Sequence, residues 1–422
     1  MGRSSRGKPN WLRPRPVERI ELNEEYSGRR ALAAILLLVL GLGMIGYAIY
    51  QMLTPQTEWI TIEAHSSAGI SCAQEFHLLY RPESRSAAAD RKAVTELYTQ
   101  LCRRAYEDFH SMEGFEGVNN IFAINRHPNE ALEVDGALYK ALAAVERSGS
   151  RLIYLGPVYE RYESIVFCED DGQLVDYDPR LNQEIARDYG ELAGYAADPR
   201  SVRVELLGEN RVRLYVSEAY LDYARREGVE RFIDFSWTRN AFIADFLAEE
   251  LIARGYTNGA LSSYDGFVRN LDGSGRDYSL QLYDRRGSSV YVAAVMDYRG
   301  PMSIVSLWDY PISGLDEYRF YVPDSGEVRT PYLDIADGVC RNALPTLTGY
   351  ARDRGCGEIL LAMAPLYIAD TLDSGALEDL ATEGIQSIRC EDEVIYPTEA
   401  GVSLHGLYEQ AGMRYTVASA NK

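Results

Sequence analysis

The chain has 422 residues, of which 46% are hydrophobic and 25% are charged, as in an ordinary folded protein. Its formal net charge is -20, whereas residues 1–30 hold eight Arg or Lys against four Glu, so the acidic excess lies entirely beyond residue 30. An acidic domain of this kind repels phosphate backbones and anionic lipids, which argues against nucleic-acid binding.

The first predicted element is a transmembrane helix at residues 31–50, ALAAILLLVLGLGMIGYAIY, which carries no charge. About 20 apolar residues at roughly 1.5 Å each match a hydrocarbon core of about 30 Å. Arg and Lys precede this segment and are absent from 51–61, so the positive-inside rule places the basic tail, residues 1–30, in the cytoplasm. We therefore expect a single-pass cell-membrane protein whose residues 55–422 are extracytoplasmic. The alternative is a cleaved signal peptide, whose apolar region would be shorter.

Beyond residue 55 the hydrophobic periodicity alternates between strand and helix patterns, which predicts an α+β fold. The predicted helices span 87–112, 135–148, 240–253, 336–353 and 371–382. The predicted strands span 58–64, 202–208, 211–217, 232–235, 278–283, 289–296 and 358–363. Two of these strand pairs are hairpins, which turn at Glu209-Asn210 and at Arg286-Gly287.

Several enzyme classes are disfavoured because their motifs are missing. The sequence has no P-loop, no G-x-G-x-x-G and no G-x-S-x-G, and its five His form no H-E-x-x-H pattern. The six cysteines are too widely spaced for a zinc site, so buried thiols or one or two disulfides remain as alternatives. These cysteines are Cys72, Cys102, Cys168, Cys340, Cys356 and Cys390.

Four stretches follow one another in a characteristic order. The first contains Asn125 and, after a helix, Gly156-Pro157; the second is IDFSWTRNAFIAD at 233–245, followed by Asp265-Gly266. The third is YRFYVPDSG at 318–326, and the fourth is IADTLDS at 368–374. Together they resemble the FAD:protein FMN transferases (ApbE-like flavin transferases), which use Mg2+ to move FMN from FAD to a Thr or Ser of a target protein.

The resemblance implies a flavin-transferase-like domain with FAD and Mg2+ as its ligands. Asn240 stands where the family has a phosphate-facing Lys, and Arg239 or Arg319 would have to replace the lost contacts. The implied cofactor-binding residues are Asn125, Arg239, Asn240, Asp245 and Arg319. The implied metal ligands are Asp370, Ser374 and the backbone carbonyl of Trp237.

The departures from the family pattern fall on polar positions. Besides Asn240, the chain has Asp265 in place of a glycine, Arg319 in place of a His, and Val322 in place of an Asp. A neutral amide cannot supply the charge of a Lys, and a carboxylate repels pyrophosphate. The pattern predicts a domain that keeps the fold and has lost the reaction.

One possible remnant of the metal site has two interpretations. Asp370 and Ser374 are four residues apart, so a helix would bring a carboxylate and a hydroxyl to one face, as Mg2+ requires. Asp373 could replace Asp370 in that role. The alternative is a helix N-cap formed by Asp370 or Asp373.

Three functions are compatible with these residues. The first is a non-catalytic module that binds an extracytoplasmic protein partner or ligand and needs no cofactor, with a groove filled by side chains such as Tyr264, Asp265 or Trp237. The second is a divergent Mg2+-dependent flavin transferase. The third is a generic envelope receptor or assembly protein.

Overall fold

A computed structural model describes residues 59–65, 74–82, 87–410 and 412–418. The predicted basic tail, the predicted transmembrane helix at 31–50 and Cys72 lie outside these residues. Within the described ranges, no helix is both long enough and apolar enough to cross a membrane.

The described residues form both helices and strands. The helices are α1 (Ala87–Phe109), α2 (Ile121–Arg126), α3 (Gly136–Ser148), α4 (Gly156–Val166), α5 (Asp171–Leu174), α6 (Gln183–Ala197), α7 (Glu218–Glu227), α8 (Arg239–Ala253), α9 (Cys356–Tyr367) and α10 (Ser374–Thr382). Short 3-10 turns lie at Leu152–Leu155, Ser236–Thr238 and Glu317–Arg319.

The strands are shorter and more numerous. They are β1 (Ile60–Ile62), β2 (Phe76–Tyr80), β3 (Ala131–Glu133), β4 (Val202–Gly208), β5 (Arg211–Val216), β6 (Gly259–Ser263), β7 (Phe267–Asn270), β8 (Asp277–Arg286), β9 (Ser289–Arg299), β10 (Ser303–Trp308), β11 (Thr346–Ala351), β12 (Gln386–Glu391), β13 (Val394–Pro397), β14 (Ser403–His405), β15 (Glu409–Gln410), β16 (Met413–Arg414) and β17 (Thr416–Val417).

A central sheet organises these elements into layers. Its strand order is β1-β2-β6-β7-β10-β11-β12-β13-β17. Adjacent strands run antiparallel, except that β13 and β17 are parallel to each other. Successive side chains of β10 point to opposite faces, as strand geometry requires. Val305 and Leu307 therefore join the core beneath α8 and α9, whereas Ile304 packs with Leu282 and Met296 of the β8–β9 hairpin. The α+β prediction is confirmed.

Elements with strong local signals were predicted well. Asp135 caps α3 through its side chain, and Gly149 ends that helix in the left-handed conformation. Glu209 and Asn210 both have positive φ, as the two-residue turn between β4 and β5 requires.

The predictions from sequence for residues 336–363 are wrong. The predicted helix at 336–353 is a loop followed by β11, and the predicted strand at 358–363 is part of α9. A short apolar run such as EILLAM shows no periodicity that separates strand from helix. The carboxylate of Asp245 decides the outcome, because it accepts hydrogen bonds from the N–H groups of Cys356 (2.8 Å) and Gly357 (2.9 Å) and so caps α9.

Residues 232–235 pair with no strand of the described residues, and Phe235 has helical backbone angles, so the predicted strand there is also wrong. The side-chain amide of Asn125 takes the place of a neighbouring strand. Its Nδ2 donates to the Ile233 carbonyl at 2.8 Å, and its Oδ1 accepts from the Ile233 N–H at 3.0 Å. One side chain therefore satisfies both backbone groups of a buried residue.

The five cysteines that the structure describes are free thiols. Four of them (Cys102, Cys340, Cys356 and Cys390) are buried, and Cys168 is half-buried. Of the two sequence alternatives, these residues follow the buried-thiol one.

The carboxylate of Asp108, which lies between α1 and α3, should make the free energy of unfolding depend on pH. Arg104 binds Asp135 through Nε at 2.9 Å and reaches Asp108 at 3.8 Å. Burial, reinforced by the charge of Asp135, raises the pKa of Asp108 from 3.8 to about 7. Between pH 4 and pH 7 Asp108 keeps its proton in the folded state and loses it in the unfolded state. Its contribution to the free energy of unfolding therefore falls as the pH rises through this range.

Replacing Asp108 by Asn should abolish that fall and raise the free energy of unfolding at pH 7 by about 1–4 kcal/mol, since the amide mimics the protonated acid. Urea unfolding at pH 4.5 and 7.5 measures the difference. Asp277→Asn, at an exposed carboxylate, serves as the control. The assignment is wrong if Asp108→Asn keeps the pH dependence of the parent protein.

Candidate functional site

Three of the predicted site residues meet in one cleft. It lies between the start of α8, the β6–β7 turn and the 3-10 turn Glu317–Arg319, and its volume is about 340 Å³. It is lined by Gln74, Glu75, Arg239, Asn240, Tyr264, Asp265, Leu315, Asp316, Tyr318 and Arg319. The structure thus brings Arg239, Asn240 and Arg319 together, as the resemblance implies.

A hydrogen-bonded network occupies one wall of this cleft. Both carboxylate oxygens of Glu75 accept from Arg239 Nη2 at 2.8 Å, and Glu75 Oε2 also accepts from Asn240 Nδ2 at 2.7 Å. The same Nδ2 donates to Asp265 Oδ2 at 3.0 Å. Asp265 is only 6% exposed, and burial raises its pKa. Arg239 and Asn240, two of the three cleft residues that would face a phosphate, are therefore engaged with carboxylates of the chain itself.

The opposite wall is built around a buried aspartate. Asp316 accepts from the indole N–H of Trp308 at 3.0 Å and from the backbone N–H groups of Ile312 (3.1 Å) and Ser313 (2.7 Å). These bonds fix the loop that carries Arg319. Arg319 is 8% exposed, and its guanidinium lies beside the Tyr332 hydroxyl, to which it donates a hydrogen bond, and near the carboxylates of Asp265 and Asp316.

Buried aromatic rings fill the space behind the start of α8. The indole of Trp237 meets the ring of Tyr332 edge-on, with centroids 4.9 Å apart, and Tyr332 meets Tyr367 in the same way at 5.1 Å. All three side chains are buried. Of the three side chains expected to fill the groove, Asp265 and Tyr264 line the cleft, whereas Trp237 is buried and is not among its lining residues.

The candidate metal ligands are placed differently. Asp370 is exposed and lies 3.3 Å from Arg341 Nη1. It precedes α10, which begins at Ser374, so the predicted pairing of Asp370 and Ser374 on one helix face is wrong. Asp373 caps the helix by accepting from Ala376 N at 3.1 Å, as the N-cap alternative predicted. Asp370 lines a second cleft of about 300 Å³ together with Arg180, Arg285, Asp309, Gly326, Glu327, Val328, Arg341, Asn342 and Ala369.

Two further candidates have structural roles outside both clefts. Asn125 binds the backbone of Ile233, as described above. Asp245 caps α9 and also accepts from Arg269 at 3.0 Å, and burial raises its pKa to about 6. Neither residue lines the cleft of Arg239 and Arg319.

Two features of these clefts disfavour a pyrophosphate and its Mg2+. Arg239 is neutralised by Glu75, and the additional carboxylate of Asp265 disfavours a second anion nearby. The carboxylate of Asp370 already has a guanidinium partner. Within the described part of the chain, no group of three or more His, Cys, Asp or Glu side chains could hold a metal ion.

Sequence reasoning missed Glu75 and Asp316. Glu75 lies just before β2 and is separated from Arg239 by 164 positions along the chain, so no local pattern connects the two. Asp316 sits among SGLDEY, a combination that is common in ordinary turns.

Several solved structures have a fold similar to that of the described residues. The ApbE protein of Thermotoga maritima superimposes with a TM-score of 0.52 at 15% identity, covering 82% of this chain and 96% of that one. The described residues have an ApbE-like fold. The flavin transferase ApbE of Vibrio cholerae gives a TM-score of 0.49 at 13% identity, covering 74% and 88% of the two chains. The Pseudomonas stutzeri flavinyl transferase ApbE gives the same score and identity, covering 75% and 87%.

The likeness is visible in structure and not in sequence. No family model matches the chain, and no curated protein matches it in sequence. At these identities the ApbE-like fold is shared, and the chemistry has to be argued from the side chains.

Proposed function

We propose that this protein is a membrane-anchored, extracytoplasmic binding module with an ApbE-like fold that does not transfer flavin. The observation that carries the proposal is the Glu75–Arg239–Asn240–Asp265 network. It engages, within the chain, Arg239 and Asn240, two of the three cleft residues that the resemblance assigns to a flavin dinucleotide. Its ligand or protein partner is recognised outside the membrane.

A phosphate could bind here only by displacing this network. Charge-assisted hydrogen bonds from Arg239 to both oxygens of Glu75 are among the stronger contacts a protein makes. A phosphate that replaced Glu75 would leave that carboxylate without its partners, at a cost of about 1–3 kcal/mol or more for a charged group. Binding of FAD here would have to overcome this cost as well as the repulsion from Asp265.

The membrane part of the proposal rests on the sequence. Residues 31–50 are apolar and uncharged, basic residues precede them, and the acidic domain follows. This arrangement supports a single N-terminal anchor with residues 55–422 outside.

Titration of FAD into the purified full-length protein in detergent, with and without Mg2+, tests the proposal. We expect no saturable quenching of flavin fluorescence up to about 1 mM FAD, which corresponds to a binding free energy weaker than about -4 kcal/mol. The flavin transferase ApbE of Vibrio cholerae, treated identically, is the positive control. Saturable, Mg2+-dependent binding would overturn the proposal.

A divergent flavin transferase is the second candidate. It is favoured by three arginines that line the cleft of Asp370, each of which also has a carboxylate partner within the chain: Arg180, Arg285 and Arg341. Under this alternative Asp370→Ala would weaken FAD binding in the same titration, and Asp297→Asn, at an exposed aspartate elsewhere, would leave it unchanged.

A further inference from the structure

The segment from the end of α4 to the start of α6 exposes several apolar side chains. Phe167 is 79% exposed and Leu181 is 51% exposed, and Val175 and Tyr177 between them are exposed as well. Single apolar side chains on a surface need no explanation, whereas several in one short segment are typical of an interaction site. This segment, called here the 167–181 loop, is therefore a candidate binding surface.

The 167–181 loop is anchored to the domain by its other side chains. Leu174 is only 1% exposed and packs in the main core, and Asp178 accepts from the buried Arg329 at 2.6 Å. The side-chain amide of Asn182 donates to the Val175 carbonyl at 3.0 Å, which closes the loop on itself. The exposed apolar side chains are therefore presented from a backbone that is held in place.

A second segment lies against this loop. The Tyr321 hydroxyl donates to Asp171 Oδ1 at 2.8 Å, and the Asp324 N–H donates to Asp171 Oδ2 at 2.8 Å. These two bonds join the residues that follow the Glu317–Arg319 turn to α5. Val322 lies between the two bonded residues and is 57% exposed. It therefore adds a further exposed apolar residue next to the 167–181 loop.

Carboxylates surround these apolar residues. Residues 167–184 contain six Asp or Glu and one Arg. The Arg is Arg180, which donates to the Cys340 carbonyl and lies 3.5 Å from Glu327. Two of the six acids make the bonds described above, and the other four are exposed: Glu169, Asp170, Asp176 and Glu184. The surface thus combines apolar side chains with a strongly negative surrounding.

This combination selects the chemistry of the occupant. Exposed apolar side chains favour contact with another apolar surface, and the carboxylates favour a positively charged one. An anionic lipid surface would be repelled. A two-fold contact between copies of this chain would bring the same carboxylates together, which is also unfavourable. A basic protein segment that carries apolar side chains meets both requirements.

We propose that the 167–181 loop and Val322 form the docking surface for a protein partner, which binds through a segment rich in Lys or Arg and in apolar side chains. The inference rests on the binding-module function above and names the kind of partner. Phe167 is the most exposed of the large apolar side chains in the described residues and is the central contact, since buried aromatic anchors dominate many interfaces. Glu169 and Asp176 attract the basic groups of the partner.

A labelled peptide of Leu and Lys in amphipathic helical spacing is the probe. Its fluorescence anisotropy is followed during titration with the full-length protein in nanodiscs of neutral lipid, and empty nanodiscs give the background. We expect saturable binding with a Kd below about 100 µM. Added NaCl should weaken it, because exposed charges are screened beyond roughly 10 Å at 0.1 M salt. A Kd above that limit, or equal binding of a Leu/Glu peptide with the same spacing, would overturn the proposal.

Paired variants locate the contact. Phe167→Ser/Leu181→Ser should weaken binding of the Leu/Lys peptide at least about tenfold, and Glu169→Gln/Asp176→Asn should reduce both the affinity and its salt dependence. The matched controls change exposed residues outside the loop: Leu206→Ser/Leu207→Ser and Asp277→Asn/Glu218→Gln. Circular dichroism checks folding. If the loop variants fold and bind the peptide as tightly as the controls do, the docking surface lies elsewhere and the assignment is wrong.

A second copy of the chain is the other occupant to be tested. Sedimentation of the full-length protein without peptide measures its self-association, and we expect the parent and Phe167→Ser/Leu181→Ser to sediment alike. Self-association of the parent that this variant abolishes would make the loop an interface between copies and would overturn the assignment to a different protein.

The FAD titration separates this inference from the proposed function. If neither the Leu/Lys peptide nor FAD binds, the partner assignment is removed and the absence of flavin transfer is retained. Saturable Mg2+-dependent FAD binding removes the non-catalytic function, whereas the variant measurements still decide whether the loop binds a basic segment.

Discussion

Replacing Gly266 by alanine should lower the free energy of unfolding by about 3–5 kcal/mol, the sum of a clash and an unfavourable backbone conformation. Gly266 has φ +102°, and a Cβ on it would lie 2.2 Å from the Ser306 carbonyl oxygen and 2.6 Å from the Trp308 ring. The carbonyl belongs to the backbone of β10 and cannot move without disturbing the central sheet. Urea unfolding monitored by circular dichroism measures the loss.

Gly287→Ala is the matched control. Gly287 also has positive φ, +59°, but nothing lies within 4 Å of the position of its Cβ. It should therefore show only the conformational penalty, about 1–2 kcal/mol. Equal losses for the two variants would mean that β10 adapts to the extra methyl group. The conformation of Gly266 matters because the preceding residue, Asp265, is held in the cleft by this turn.

The buried ion pair of Arg329 and Asp178 should give the second large effect. Arg329 Nε donates to Asp178 Oδ2 at 2.6 Å, and the two side chains are only 3% and 1% exposed. Asp178→Leu leaves the buried guanidinium with only the exposed carboxylate of Glu327, 3.4 Å away, as counter-charge, so we expect a loss of about 3–5 kcal/mol in the free energy of unfolding. Urea unfolding of the single and double variants is the measurement.

The double variant Asp178→Leu/Arg329→Met should recover most of that loss, because apolar residues of similar size often replace a buried ion pair at little cost. About 1 kcal/mol should remain, since Asp178 Oδ1 also accepts from the Arg180 N–H at 2.9 Å. The exposed pair Arg200–Asp198 is the control, and Arg200→Gln should change stability by less than about 0.5 kcal/mol. A double variant less stable than Asp178→Leu alone would contradict this account.

Local sequence signals predicted those elements whose ends are determined by neighbouring residues. Asp135 and Gly149 delimit α3 from within the segment itself, and Glu209-Asn210 determines the β4–β5 turn. The start of α9 is different, because its cap, Asp245, is 111 positions away. The same holds for Asn125, which binds Ile233 across 108 positions. Such bonds exist only once the chain has folded, so a window of sequence cannot contain them.

Only part of the candidate site could be predicted from the sequence, again because some of its contacts join segments that are far apart in the chain. The ordered resemblance located Arg239, Asn240 and Arg319, which the fold does bring into one cleft. It could not show that Glu75 engages two of them, because that contact depends on the pairing of β2 with β6. It also treated Asp245 as a cofactor-binding residue, whereas in the structure the side chain caps a helix.

The pairing of β2 with β6 has a consequence for the order of folding. His77 lies opposite Ser262, 185 positions later in the chain. At synthesis rates of about 5–20 residues per second, β2 waits roughly 10–40 s for its partner strand to leave the ribosome. During that interval its FHLLY sequence has an unpaired edge, the kind of segment that chaperones hold and that misfolded strands capture. The central sheet therefore closes late, and the cleft that depends on Glu75 forms with it.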